Sequence, residues 1–232
     1  MRDGRLDAGG PSGIQKSVAF FDMDGTILAV NSARLWAQLM WKRGEISTWT
    51  LARSMTWLAR YKLALVEMED MTEALSSHVR GLNESDMRVV TEQWYRDEVR
   101  AYVIPQVVDA IRGHRAAGEE VVVLTAAGPY LAWALARDLE MDDVICTTLE
   151  VGSDGRFTGK LDRPLCYGEG KAELAERWAS ARGIVLDACA FYTDSFTDVP
   201  MLERVGRPAV INPDPRLARW ARARGVPTRR YA

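Results

Sequence analysis

Val18 to Phe21, Glu120 to Leu124 and Ala188 to Thr193 are short, mostly apolar runs, and each stops abruptly at a polar residue: Asp22, Thr125 and Asp194. Runs of this length bounded by turn residues read as buried strands. Val144 to Thr148 and Ala209 to Asn212 read the same way. The stretches between them carry helical patterns. Pro105 to Ala117 is closed by Gly118, and a helix starts at Pro129, where a missing N–H does no harm. Lys171 to Ala181, Val199 to Val205 and a last segment through Ala223 complete the set. Leu149 to Val151 and Phe157 to Lys160 flank Ser153-Asp154-Gly155, a hairpin signal. Strand and helix in alternation predict an α/β fold, a Rossmann-like doubly wound parallel sheet. Such sheets bind ligands outside the carboxyl ends of their strands. Three polar strand ends are therefore expected in one crevice.

From Ser32 to Tyr102 the pattern is helical. Leu35, Trp36, Leu39 and Met40 fall at three-four spacing, as do Trp57, Leu58, Tyr61 and Leu65. Asn83-Glu84-Ser85-Asp86 resembles a helix start. The expected division is a tail over 1–16, a core of 17–31 with 103–232, and a small all-helical cap over 32–102, inserted after the first strand. A chain of 232 residues has room for this.

Composition narrows the function classes. A net charge of -2 gives no nucleic-acid footprint, and the basic stretch Arg216 to Arg230 reads as a solvated helix. Cys146, Cys166 and Cys189 are far apart and odd in number, which predicts a reducing cytoplasm and no structural zinc. His78 and His114 have no flanking ligands and are expected to be structural or solvated. No long uncharged apolar stretch exists, so no integral membrane segment is expected.

Asp22 and Asp24 are spaced by two, so they project to one side of an extended segment. Two like charges about 4 Å apart repel by roughly 4 kcal/mol at an effective dielectric of about 20. A cation, a proton or a reaction must occupy the space between them. An EF-hand loop is excluded by Ile27 at its sixth position, where glycine is needed. With Lys171 added, Asp22, Asp24, Asp194 and Asp198 would meet one hydroxyl and one ammonium. Oxygen-only ligands suit a hard cation, and magnesium is the expected cofactor. A phosphate ester fits the remaining parts. Backbone N–H groups following Thr125, beginning at Ala126, would cradle phosphate oxygens at a helix start, and Lys171 would neutralise them.

In order and spacing, Asp22-Met23-Asp24-Gly25-Thr26, Thr125, Lys171 and Asp194-Ser195-Phe196-Thr197-Asp198 resemble the four motifs of the haloacid dehalogenase superfamily of phosphatases. The helical insert, Gly168-Glu169-Gly170-Lys171 and Asn212-Pro213-Asp214 are similar to its phosphoserine phosphatase-like branch. The resemblance implies a magnesium-dependent phosphomonoester hydrolase working through an aspartyl phosphate. Asp22 would be the nucleophile and Asp24 the general acid/base. Thr125, Ala126 and Lys171 would bind the phosphate. Asp22, Asp24 through its backbone carbonyl, Asp194 and Asp198 would serve the metal. The expected substrate is a small phosphorylated metabolite, phosphoserine-like or histidinol phosphate-like, and the expected assembly is a monomer or homodimer. Where phosphoserine phosphatases place an acid that reads the substrate amine, this chain has Asn31.

Other readings of the same site are a phosphotransferase and a lipid-phosphate phosphatase. The last is motivated by Trp36, Trp41, Trp49 and Trp57 beside Lys42, Arg43, Arg60 and Lys62. Met40, Met55, Met68 and Met71 join those tryptophans in what reads as a cap core, a dimer face or an apolar pocket. A non-catalytic ligand-binding protein on this fold is the alternative outside enzymes.

Overall fold

The computed structural model describes residues 16–62 and 79–231. Residues 1–15 of the expected tail, His78, Leu65, Met68 and Met71 lie outside the described residues, as do the side chains of Trp57, Leu58, Arg60, Tyr61 and Lys62.

The centre is β1 (Val18–Phe21), every residue of which is buried. It pairs in parallel with β2 (Glu120–Thr125) on one side and β6 (Ala190–Thr193) on the other. Outside these lie β3 (Asp143–Cys146), β7 (Arg207–Ile211) and β8 (Thr228–Arg229). The six strands run in the order β3-β2-β1-β6-β7-β8, and every pairing is parallel. Register places Phe21 beside both Val123 and Tyr192. The carboxyl ends of β2, β1 and β6 are therefore level.

Alternation decides which residues face which layer. Ala19, Phe21, Val121 and Val123 pack against α4 (Pro105–Ala116) and α5 (Pro129–Asp138). Val18, Phe20, Val122 and Leu124 pack against α6 (Glu169–Ser180) and α8 (Pro215–Arg224). A sheet covered on both faces explains strands that read as unbroken apolar runs. The helices stop and start where their caps dictate. Asp214 caps α8, Pro215 opens it, and Gly225 closes it in the left-handed region at φ 66°.

Between β1 and β2 lie α1 (Ser32–Lys42), α2 (Thr48–Lys62) and α3 (Glu84–Trp94), with Asn83 capping α3 as its sequence suggests. A π-helical turn, Tyr95–Val99, follows α3 and has no counterpart in the sequence reading. The two connections to this helical stretch run side by side: Ala29 N–H donates to the Tyr102 carbonyl and Ile104 N–H to the Ile27 carbonyl, both at 2.9 Å. β4 (Leu149–Val151) and β5 (Phe157–Leu161) form the expected antiparallel hairpin. It fastens onto the start of α3, through Gly81 N–H to the Phe157 carbonyl at 2.8 Å and Glu84 N–H to the Gly155 carbonyl at 2.9 Å.

Some boundaries differ from the sequence reading for local reasons. β3 ends at Cys146 instead of Thr148, because the chain leaves the sheet where the Thr147 hydroxyl accepts from Cys166 N–H at 3.1 Å. β6 begins at Ala190; Leu186–Ala188 is a 3-10 turn. The helix predicted over Val199 to Val205 is the single turn α7 (Val199–Leu202). Trp36 is half-buried and packs edge-on to the core residue Trp94, with ring centroids 5.0 Å apart. Trp41 and Trp49 are 44% and 75% exposed. His114 is structural: its Nδ1 meets Glu119 and its Nε2 meets the Tyr192 hydroxyl at 2.9 Å.

Candidate active site

The sheet delivers Asp22, Thr125 and Asp194 to one rim, from β1, β2 and β6. Asp22 extends the β1–β6 ladder by one bond, from its N–H to the Tyr192 carbonyl at 2.9 Å. Lys171, on the first turn of α6, reaches across to the same rim. Its Nζ lies 2.9 Å from Asp22 Oδ1 and 2.8 Å from Asp198 Oδ2. The Thr193 hydroxyl adds a 2.6 Å bond to the same Asp198 oxygen. The relative exposures of Asp22, Lys171 and Asp198 are 7%, 3% and 1%.

Charges this deep need partners. Burial acts to lower the Lys171 pKa, but Asp198 and Asp22 together outweigh it and hold the ammonium above its usual value. With two acids on one ammonium, negative charge is left over. Asp22 carries the consequence: burial pushes its carboxyl up to about 7, against the pull of Lys171 and with the help of Asp198.

Asp24 sits at the turn beyond β1. Ser32, the first residue of α1, donates its backbone N–H to Asp24 Oδ1 and its hydroxyl to Asp24 Oδ2, both at 2.9 Å. Gly25, between them, has φ +77°. A Cβ there would stand 2.1 Å from Asp194 Oδ2, so the Asp194 carboxylate lies directly on the glycine. On β2, the buried Thr125 hydroxyl accepts from Ala127 N–H at 3.1 Å, folding the Thr125–Gly128 loop with Ala126 at its bend. The hydroxyl keeps its own proton to donate. Asp214 organises the Asp194 loop. Its N–H donates to the Asp194 carbonyl at 2.9 Å, and its carboxylate accepts from Phe196 N–H at 2.7 Å as well as capping α8.

The structure thus brings Asp22, Lys171 and Asp198 into direct contact and sets Asp24 and Asp194 on either side of Gly25. It does not close Asp22, Asp24, Asp194 and Asp198 into one side-chain metal cage. Among the described residues no three acidic, imidazole or thiol side chains form such a group. The expected shell draws on Asp24 only through its backbone carbonyl, so it does not need such a side-chain cage. The Asp24 carboxylate is engaged by Ser32, and that of Asp198 by Lys171 and Thr193. The remaining donors, carboxylates at two adjacent strand ends plus backbone oxygen, still fit magnesium, which takes one or two carboxylates and completes its shell with water and phosphate. A separate groove of about 660 Å³ opens beside the start of α6, lined by Arg163, Tyr167, Glu169 and Arg177 among others, and none of the strand-end acids reaches it.

Sequence reasoning missed Ser32, Thr193 and the close approach at Gly25. Each acts by touching a residue that the motifs name, and no spacing marks such a contact beforehand.

Gly25→Ala is expected to remove activity and lower stability together. The left-handed backbone costs about 1–2 kcal/mol for any residue with a Cβ. The new methyl must also displace Asp194. Gly118 is the control: its φ is +78°, and a Cβ there meets nothing within 4 Å. Gly118→Ala should pay the backbone cost alone and keep full turnover. Equal activity in the two variants would show that Asp194 tolerates displacement.

An α/β sheet here carries a buried acid just past the end of a central strand, with a buried lysine against it. The haloacid dehalogenase-like hydrolase family matches residues 19–203. The chain belongs to that family, and within it to the phosphatases that resemble phosphoserine phosphatase. Over 92% of its length it is 33% identical to an inhibition of morphological differentiation protein of Streptomyces azureus, covering 78% of that protein. It is 28% identical to a histidinol-phosphatase of Neisseria meningitidis, over 91% of this chain and 97% of that one. Among solved structures, a Bordetella pertussis protein of unknown function superposes with a TM-score of 0.84 at 30% identity, covering 92% of this chain and 98% of that one. A substrate-bound phosphoserine phosphatase shares the fold at a TM-score of 0.66 and 16% identity, over 88% of this chain and 90% of that one.

Proposed function

We propose that the chain is a magnesium-dependent phosphomonoesterase that forms an aspartyl phosphate on Asp22, with a small phosphorylated metabolite as substrate. The contact of Lys171 with both Asp22 and Asp198 carries this reading: it aims one carboxylate oxygen and fixes a cation beside it in a water-poor site. Asp22 attacks phosphorus, and the bond from phosphorus to the ester oxygen breaks. Asp24 gives its proton to the departing oxygen. Water then attacks the phosphoryl group, Asp24 takes the water's proton, and the bond to Asp22 breaks, releasing inorganic phosphate. The Thr125 hydroxyl, the N–H groups of its loop and Lys171 hold the phosphoryl oxygens. Asp22, Asp194 and the Asp24 carbonyl would hold magnesium, which when bound neutralises phosphoryl oxygens and the leftover carboxylate charge.

In this reading the segment 32–102, which includes α1, α2 and α3, is the cap that selects the substrate. The names of curated relatives support histidinol phosphate-like and phosphoserine-like esters. Asn31 stands where phosphoserine phosphatases place an acid that reads the substrate amine. Its Oδ1 already accepts from Arg34 N–H at 3.0 Å as the cap of α1, so it offers amide donors more readily than an acceptor for an ammonium. No described helix is long and apolar enough to cross a membrane.

The test is phosphate release from 4-nitrophenyl phosphate in EDTA and after magnesium is restored. Activity is expected only with the metal. Magnesium at a hundred times its dissociation constant should also stabilise the fold by about 2.7 kcal/mol, read as a rise in melting temperature. Equal turnover in EDTA would overturn the metal dependence.

A further inference from the structure

We infer that Ser32 is a positioning residue for the proton-transfer steps, and that it ties the first helix of the cap to the orientation of Asp24. The inference rests on the roles proposed above for Asp22 and Asp24. Ser32 is 4% exposed and is the first residue of α1. It holds Asp24 twice, by N–H to Oδ1 and by hydroxyl to Oδ2, each at 2.9 Å. Two donors from one residue, one to each oxygen, fix the plane of the carboxylate. The positive end of the α1 dipole lies on the same side.

Ser32 is also mechanically connected. Asn31 caps α1 through Arg34 N–H, so the start of the helix is a formed turn and not a loose strand. The segment leading to it is pinned to the return connection by Ala29 N–H on the Tyr102 carbonyl and by Leu28 bridging Val103. A displacement of α1 would carry Ser32, and with it the carboxylate plane of Asp24. Asp22 is not held by Ser32; Lys171, from α6, aims it through a 2.9 Å contact with Oδ1. The geometry therefore separates aim of the nucleophile from aim of the proton donor.

This separation can be read from the leaving group. A good leaving group departs without a proton, and a poor one needs it. In Ser32→Ala, kcat/KM, which reports formation of the aspartyl phosphate, is expected to fall by about 10-fold or more for an alkyl phosphate. For 2,4-dinitrophenyl phosphate it should stay within about two-fold, since little protonation is required. The dependence of log kcat/KM on leaving-group pKa becomes steeper, while inhibition by inorganic phosphate is unchanged. Ser32→Thr, which keeps the hydroxyl, restores the wild-type slope. Ser32→Cys, a weaker donor of similar shape, supplies the intermediate case if the alanine variant does not fold. A parallel fall across all leaving groups, or no change in slope in either Ser32→Ala or Ser32→Cys, overturns the inference. A wild-type protein with magnesium that hydrolyses no member of the series overturns the proposed function itself, a distinguishable failure.

Discussion

Asp22→Asn is expected to reduce phosphate release by about 10⁴-fold or more, as loss of a covalent nucleophile does elsewhere. The amide has the shape of the carboxylate and can still meet Lys171 through its oxygen, so the fold should survive. It should be slightly firmer. Asp22, Asp198 and Lys171 leave negative charge over, and it is Asp22 whose carboxyl is pushed up to about 7 by burial. Removing that charge removes the repulsion from Asp198. A thermal melt of the variant at neutral pH should therefore lie at or above the wild-type value, while turnover of 4-nitrophenyl phosphate disappears. Activity within ten-fold of wild type would mean that another group attacks phosphorus, and the aspartyl phosphate would have to be abandoned.

Lys171→Met is expected to behave in the opposite way, damaging both fold and turnover. The lysine is 3% exposed and is held by Asp198 at 2.8 Å and Asp22 at 2.9 Å. Methionine fills much of its volume but leaves two buried acids facing each other. Breaking a buried ion pair from one side costs about 3–5 kcal/mol, mostly through the charge left behind. Thr193 alone remains to Asp198, and one hydroxyl cannot replace an ammonium. Adding Asp198→Asn to the variant should recover part of the lost stability, since it removes one of the stranded charges. Urea denaturation in the absence of magnesium measures both effects. A loss below about 1 kcal/mol in Lys171→Met would show that the acids are already neutralised by other means.

Much of the architecture could be read from the chain because burial on both faces of a parallel sheet leaves an unbroken apolar run. β1, β2 and β6 announce themselves in this way, and their level ends follow from parallel pairing. β8 could not be read: Thr228 and Arg229 are exposed and polar, and only pairing with Val210 and Ile211 makes them a strand. The convergence of Lys171 on Asp22, 149 positions away in sequence, was legible only as a member of an ordered motif set. Alone, a lysine on a helix says nothing. The allotment of carboxylates was less legible still. Motif resemblance assigns roles to the four acids, but spacing alone does not say what each carboxylate touches. The fold turns Asp24 onto Ser32, binds Asp198 to Lys171 and rests Asp194 on Gly25. Those distinctions depend on side-chain direction, which spacing does not encode. The capping of α1 by Asn31, in contrast, follows the usual signal of an Asn just before a helix start.

Asp214 has a consequence for how the end of β6 is kept in order. It holds the Asp194 loop through two bonds and caps the helix that follows, so loop and helix share one anchor. Whatever loosens α8 at its first turn also slackens the loop at β6, and the two must settle together.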